Sequence, residues 1–103
     1  MNGATVGLDA VGIAAAIREG QLSPTEAIQG AIERIDAIDG VVNAVIHRRF
    51  DQALADAQNP PNGPFRGVPI LLKDLWTASA GDPCHFGMRA FKDANYVATT
   101  DST

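Results

Sequence analysis

Residues 59–64 read Asn-Pro-Pro-Asn-Gly-Pro, and no helix or strand can run through them. Each proline fixes its own φ and removes a backbone donor, and the residue before it is pushed away from helical angles. The stretch is therefore a loop. It cuts the chain of 103 residues into two parts of different texture.

Before the loop the apolar spacing is mostly helical. Residues 9–18 form the first expected helix, with Val11, Ala14, Ala15 and Arg18 on one face and Ile13 and Ile17 on a neighbouring one. Gly20 should stop it, because glycine accepts the left-handed conformation at a helix end. Ser23-Pro24-Thr25-Glu26 is a stronger start signal. The serine hydroxyl and the glutamate carboxylate can each satisfy an orphan N–H, and proline suits the first helical position. Ile28, Ala31, Ile32, Ile35 and Ile38 then recur at helical spacing, and Gly40 is expected to close that helix. Residues 41–46, Val-Val-Asn-Ala-Val-Ile, are β-branched enough for a short strand. Phe50, Ala53, Leu54 and Ala57 make the stripe of a third helix.

After the loop, residues 68–72 are Val-Pro-Ile-Leu-Leu, a continuous apolar run that suits a strand covered on both faces. One or two short strands cannot make such a sheet by themselves. The expectation is one incomplete domain: a helical region over 9–58, the Pro/Gly loop over 59–67, and a strand segment over 68–103. Residues 77–83 are small and irregular, and 87–91 could form a helical turn. Asp101 or Ser102 would cap a further helix well.

Composition narrows the class of function. Apolar residues make up 46% of the chain and the formal charge is −4, which is globular and gives nucleic acid or anionic membrane little to bind. No apolar run approaches the roughly 18 residues of a membrane span. The start of the chain lacks the basic region of a secretory signal. Cys84 is the single cysteine, so no internal disulfide can form and a reducing cytoplasm is expected.

Lys73 is the residue that invites a chemical reading. It follows an apolar strand directly, and a lysine keeps its ammonium in water unless it is paired. It either marks the wet end of the strand or is held at the mouth of a site. A desolvated amine has a lowered pKa and can then act as a general base. Other candidates are weaker. Ser79, Cys84 and His85 share a loop, but Cys and His adjacent in sequence cannot readily face each other as nucleophile and base. His47 and His85 lack a ligand cluster, so no metal or other cofactor is expected. Asp51 and Asp56 belong on the wet face of the third helix.

The segment 63–76, Gly-Pro-Phe-Arg-Gly-Val-Pro-Ile-Leu-Leu-Lys-Asp-Leu-Trp, resembles the first recognisable block of the amidase signature family. That block reads G-P-L-x-G-[IV]-P-x-x-[VIL]-K-D. The S-P-x-E helix, the Asn43-Ala44 pair and the Phe-x-x-A-x-x-x-A helix also match, so the resemblance runs from about Asp9 to Ser102. Residues from Lys73 through Tyr96 are most similar to the branch that includes the 6-aminohexanoate cyclic dimer hydrolases. The resemblance implies an α/β fold of helices packed on a mixed β-sheet, of which this is the N-terminal portion.

It also implies an amidase with a Ser–cis-Ser–Lys triad, cleaving a small-molecule carboxamide through an acyl-enzyme. Lys73 matches the triad lysine, and Asp74 matches an aspartate whose implied role is structural support of the lysine loop. The two serines belong to a Gly/Ser-rich block that these 103 residues do not contain, so the chain alone is expected to be inactive. The unpaired strand and the isoleucine stripe would then associate with the rest of the enzyme or with a second copy. The alternative is a non-catalytic helical interaction or assembly module using the same apolar surfaces.

Overall fold

The computed structural model describes residues 7–102, and they divide into two compact units, one ending at Pro69 and the other beginning at Ile70. The first unit holds α1 (Ala10–Arg18), α2 (Pro24–Val42) and α3 (Phe50–Asp56). The second holds the short α4 (Arg89–Asp93). The boundary falls inside the segment expected to be a strand.

Local signals set the helix starts. The Asp9 carboxylate accepts from the Gly12 N–H at 2.8 Å and caps α1, one residue before the first helical position. Glu19 ends α1, and Gly20 at φ +75° lets the Gln21 N–H reach back to the Ala16 carbonyl at 2.9 Å. The Ser23 hydroxyl accepts from the Glu26 N–H while the Glu26 carboxylate accepts from the Ser23 N–H, both at 3.1 Å, as the sequence predicts.

The helix faces are less regular than the spacing implies. Ile13, Leu22 and Ala27 form the core, with Ala16, Ile17 and Val68 packed against it. Val11 lies exposed, and Ile38, at the end of the expected stripe, is exposed as well. The enclosed positions of α2 are Ala27, Gly30 and, near its end, Asp39, with Ile28, Ile32 and Ile35 half-buried. α3 packs on α2, and the Gln58 amide donates to the Thr25 hydroxyl at 3.3 Å, returning the chain to the start of α2.

Both expected strands are absent from the described residues, and the mixed sheet with them. Gly40 does not close α2, which continues through Val41 and Val42 until Asn43 turns left-handed at φ 53°. The next N–H groups are then captured by a side chain: Asp39 Oδ1 accepts from Ala44 at 2.7 Å and Val45 at 3.1 Å. Arg48 braces the same turn, reaching Asp39 at 3.2 Å and Asp36 at 2.8 Å and lying over the Phe50 ring. A capped turn uses the donors that a strand would need. Residues 69–72 belong to no helix or strand, and none of their backbone groups bonds to another described backbone group. A strand exists only by pairing, and no strand partner for this segment occurs among the described residues. Among the described residues the only bridge is an isolated antiparallel contact between Pro83 and Val97.

Gly67 joins the loop to the core. Its φ is +82°, and a Cβ there would lie 2.9 Å from Pro24 Cγ and 3.1 Å from Ile17 Cδ1. Gly20 has a similar φ but open space around it. Gly20→Ala should therefore cost only the left-handed strain of about 1–2 kcal/mol. Gly67→Ala should add about 1–3 kcal/mol of overpacking. Urea midpoints of the two variants measure the difference; equal midpoints would show that the helix start does not press on the loop.

Candidate functional site

The second unit is shaped by hydrogen bonds more than by apolar burial. The Gly81 N–H donates to the Ala98 carbonyl at 2.9 Å, Ala98 donates to Asp82 at 3.0 Å, and Cys84 donates to Tyr96 at 3.2 Å. Cys84 and Ala98 are buried along this pairing. Asp101 and Ser102, which the sequence suggests as caps of a further helix, clip the small-residue loop; that helix would lie outside the described residues. The Ser102 hydroxyl accepts from the Ala78 N–H at 2.7 Å, and Asp101 Oδ1 accepts from Ala80 at 2.8 Å. The helical turn expected at 87–91 forms slightly later, as α4.

Lys73 and Asp74 enter this unit from the unpaired segment. Ile70, Leu71 and Leu72 are 76%, 70% and 50% exposed, so the expected covering of both faces is not supplied by the described residues. The Lys73 side chain is exposed too, and it makes no hydrogen bond or ion pair with the described residues. Asp74 is half-buried and fully engaged: Oδ1 accepts from the His85 N–H at 2.8 Å and Oδ2 from the Gly87 N–H at 3.2 Å.

These donors come from a turn in which Phe86 and Gly87 are both left-handed, at φ 53° and 67°. Successive N–H groups in such a turn form a concavity that favours an anion. Burial pushes the Asp74 carboxyl up, but the N–H groups of His85 and Gly87, the His85 charge and the Phe86 N–H together outweigh it. The net result is a pKa below the ordinary 3.8. Phe86 then joins Phe91 at 5.3 Å and Tyr96 at 6.3 Å between ring centroids, and Phe91 meets Tyr96 edge-on at 5.4 Å. Each edge-on pair adds about 0.5–1.5 kcal/mol beyond its buried area.

Of the residues singled out from the sequence, the structure brings Asp74 to the His85 backbone. It does not assemble Ser79, Cys84 and His85 into a nucleophilic group: Cys84 is buried on the ladder and donates its N–H to Tyr96. His47 is exposed in the first unit. Asp51 is exposed on α3, and Asp56 bonds Gln52 at 2.8 Å and lies 3.6 Å from Arg49. Among the described residues no three His, Cys, Asp or Glu side chains are grouped for a metal ion. No helix there is long and apolar enough to cross a membrane.

Sequence reasoning missed Asp39 and the turn at 85–87. A signal existed for the first. Asp39 falls in the last turn of α2, where the helix dipole disfavours negative charge, so it needs a compensating partner. Val45, Ala44 and Arg48 supply it, and the Asp39 carboxyl lies below its ordinary 3.8, with the Val45 N–H as the largest cause.

The family model described as Amidase matches residues 26–103. The chain belongs to the amidase family. Similar relatives of this amidase chain are the 6-aminohexanoate-cyclic-dimer hydrolases of Pseudomonas sp. (strain NK87) and Paenarthrobacter ureafaciens. Each is 36% identical over 94 residues, covering 91% of this chain and 19% of the relative. The acylamidase of Rhodococcus erythropolis is 35% identical, covering 84% of this chain and 20% of its own length. A solved structure of 6-aminohexanoate cyclic dimer hydrolase superposes with a TM-score of 0.83 at 36% identity, over 90% of this chain and 19% of that one. The chain therefore spans about a fifth of the length of these relatives.

Because its folded pKa lies below its unfolded one, Asp74 adds stability above about pH 3.8, where the carboxylate is ionised in both states. That contribution is lost as the pH falls from 3.8 through the lower folded value. Asp39 titrates in the same direction, so the comparison must be by difference. Urea midpoints measured from pH 5 down to about pH 2 should fall less steeply in Asp74→Asn than in the wild type. Parallel curves would mean that the carboxylate is not held by the turn.

Proposed function

We propose that this chain is the N-terminal part of an amidase that hydrolyses a small, non-peptide carboxamide in the cytoplasm, and that Lys73 is its general base. The observation that carries the reading is the Lys73-Asp74 pair, which falls within the family match and follows a block of amidase type. What Asp74 does in the structure supports it, because a carboxylate tied to two N–H groups holds the backbone next to the lysine in place.

In this reading the neutral Lys73 amine accepts a proton from a serine in a cis peptide. That serine takes the proton of a nucleophilic serine, whose oxygen attacks the amide carbon. The C–N bond breaks as the proton is delivered to the departing amine, and water then hydrolyses the ester. Both serines lie in polypeptide outside these 103 residues, which contain no Gly/Ser-rich block. A neutral amine at working pH requires desolvation, so the remainder of the enzyme must cover the exposed Lys73. The bare backbone of residues 69–72 and the exposed Ile70, Leu71 and Leu72 offer the edge on which that covering would pair. The same exposed run also favours the second reading, an assembly module whose partner is another chain.

A chimera distinguishes the two. This chain replaces the matching N-terminal fifth of a 6-aminohexanoate-cyclic-dimer hydrolase, and amide hydrolysis is assayed. Lys73→Ala should lower kcat/KM by about 10²–10⁴-fold with the fold intact. A rate within a few-fold of the unmutated chimera would rule out the base. The 103-residue chain by itself should show no hydrolysis.

A further inference from the structure

Gly87 raises a question that Asp74 alone does not answer. Its φ is +67°, yet a Cβ built there would meet nothing within 4 Å. Space does not demand a glycine; only the backbone angle does. Phe86, a bulky residue, sits at φ 53° beside it, where aromatic side chains are rarely found. Such angles persist only where surrounding contacts over-determine them. Two sets of contacts do so here. The His85 and Gly87 N–H groups are spent on the Asp74 carboxylate, and the Phe86 ring packs against Phe91 and Tyr96, which also meet each other. The His85 carbonyl also accepts from the Met88 N–H at 2.8 Å, which ties the turn to the start of α4.

We propose that the turn His85-Phe86-Gly87 is the positioning element of the Lys73 site, with Gly87 the residue that sets it. The turn grips Asp74, and Asp74 fixes the direction in which the main chain passes Lys73. Residues 69–72 make no backbone hydrogen bond to another described backbone group, so this grip is the restraint on the lysine within the second unit. The aromatic trio keeps the turn closed. The inference rests on Lys73 being the base, and it adds a residue 14 positions away that never needs to touch the substrate.

Because a Cβ there would meet no neighbour within 4 Å, substitution tests the backbone angle first. Asn tolerates the left-handed region; Val, branched at Cβ, does not. In the 103-residue chain, nitrogen relaxation should show Lys73 and Asp74 ordered in wild type and in Gly87→Asn, with order parameters near 0.85. In Gly87→Val they should fall toward about 0.6. In the chimera, Gly87→Val should lower kcat about 10- to 100-fold with little change in KM and displace the acid limb of kcat/KM. Gly87→Asn should stay within about threefold of wild type. His85, whose charge acts on Asp74, is the other titratable group at the turn, and His85→Gln should leave the Gly87→Val displacement in place. Should Gly87→Val fail to fold, Asp74→Asn, of equal volume, gives the same readouts. Unchanged order and an unchanged kcat and pH profile in Gly87→Val, alongside an inactive Lys73→Ala, would overturn the positioning role alone. An active Lys73→Ala would overturn the base assignment first.

Discussion

The N–H groups of His85 and Gly87 both end on the Asp74 carboxylate, and the second unit takes its form from that meeting. Buried apolar surface is scarce there: Cys84 and Ala98 are its only buried hydrophobic residues among those described. A charged acceptor makes hydrogen bonds roughly twice as strong as a neutral one, which lets a thin core hold a defined turn. The first unit repeats the device with Asp39, which collects the N–H groups of Ala44 and Val45 after α2. In both places a carboxylate ends one segment and starts the next, doing locally what a sheet ladder does over distance.

That economy bears on function. A catalytic amine needs two things that pull apart: a fixed backbone and a dry environment. The fixed backbone is local, because Asp74 is adjacent to Lys73 and its partners lie only 11 and 13 residues on. The dry environment is not local. No large side chain among the described residues is fully enclosed, and the apolar run that leads to Lys73 lies open. In the role proposed for Lys73, such an arrangement would set the direction of the amine and leave its desolvation to surfaces other than the described ones.

The helical part of the fold was legible in the sequence because its signals are short-range. The Ser23–Glu26 box, the Gly20 stop and the Phe50 stripe each act within one or two helical turns, and each is where the pattern places it. The misreadings have one cause. Val41 and Val42 look like strand and lie in helix, since Gly40 is tolerated in a helix and Asn43 supplies the left-handed stop. Residues 68–72 look like a buried strand and remain unpaired, since β-branched and apolar character describes a preference that only a neighbouring strand can realise. At the site, the chemical type of Lys73 and Asp74 could be read from the motif, but the turn at 85–87 could not. Phe86 is an unlikely left-handed residue, and nothing near it in sequence announces the carboxylate that holds it there.

The sequence by itself determined the helix starts, the loop at 59–64 and the kinship with amidases, because caps, prolines and motif spacing act between residues a few positions apart. Only the tertiary structure decided which carboxylates take which N–H groups, and that Gly67 must remain bare against Pro24 and Ile17. Those outcomes depend on distances between residues that are remote along the chain, and a linear pattern carries no distances.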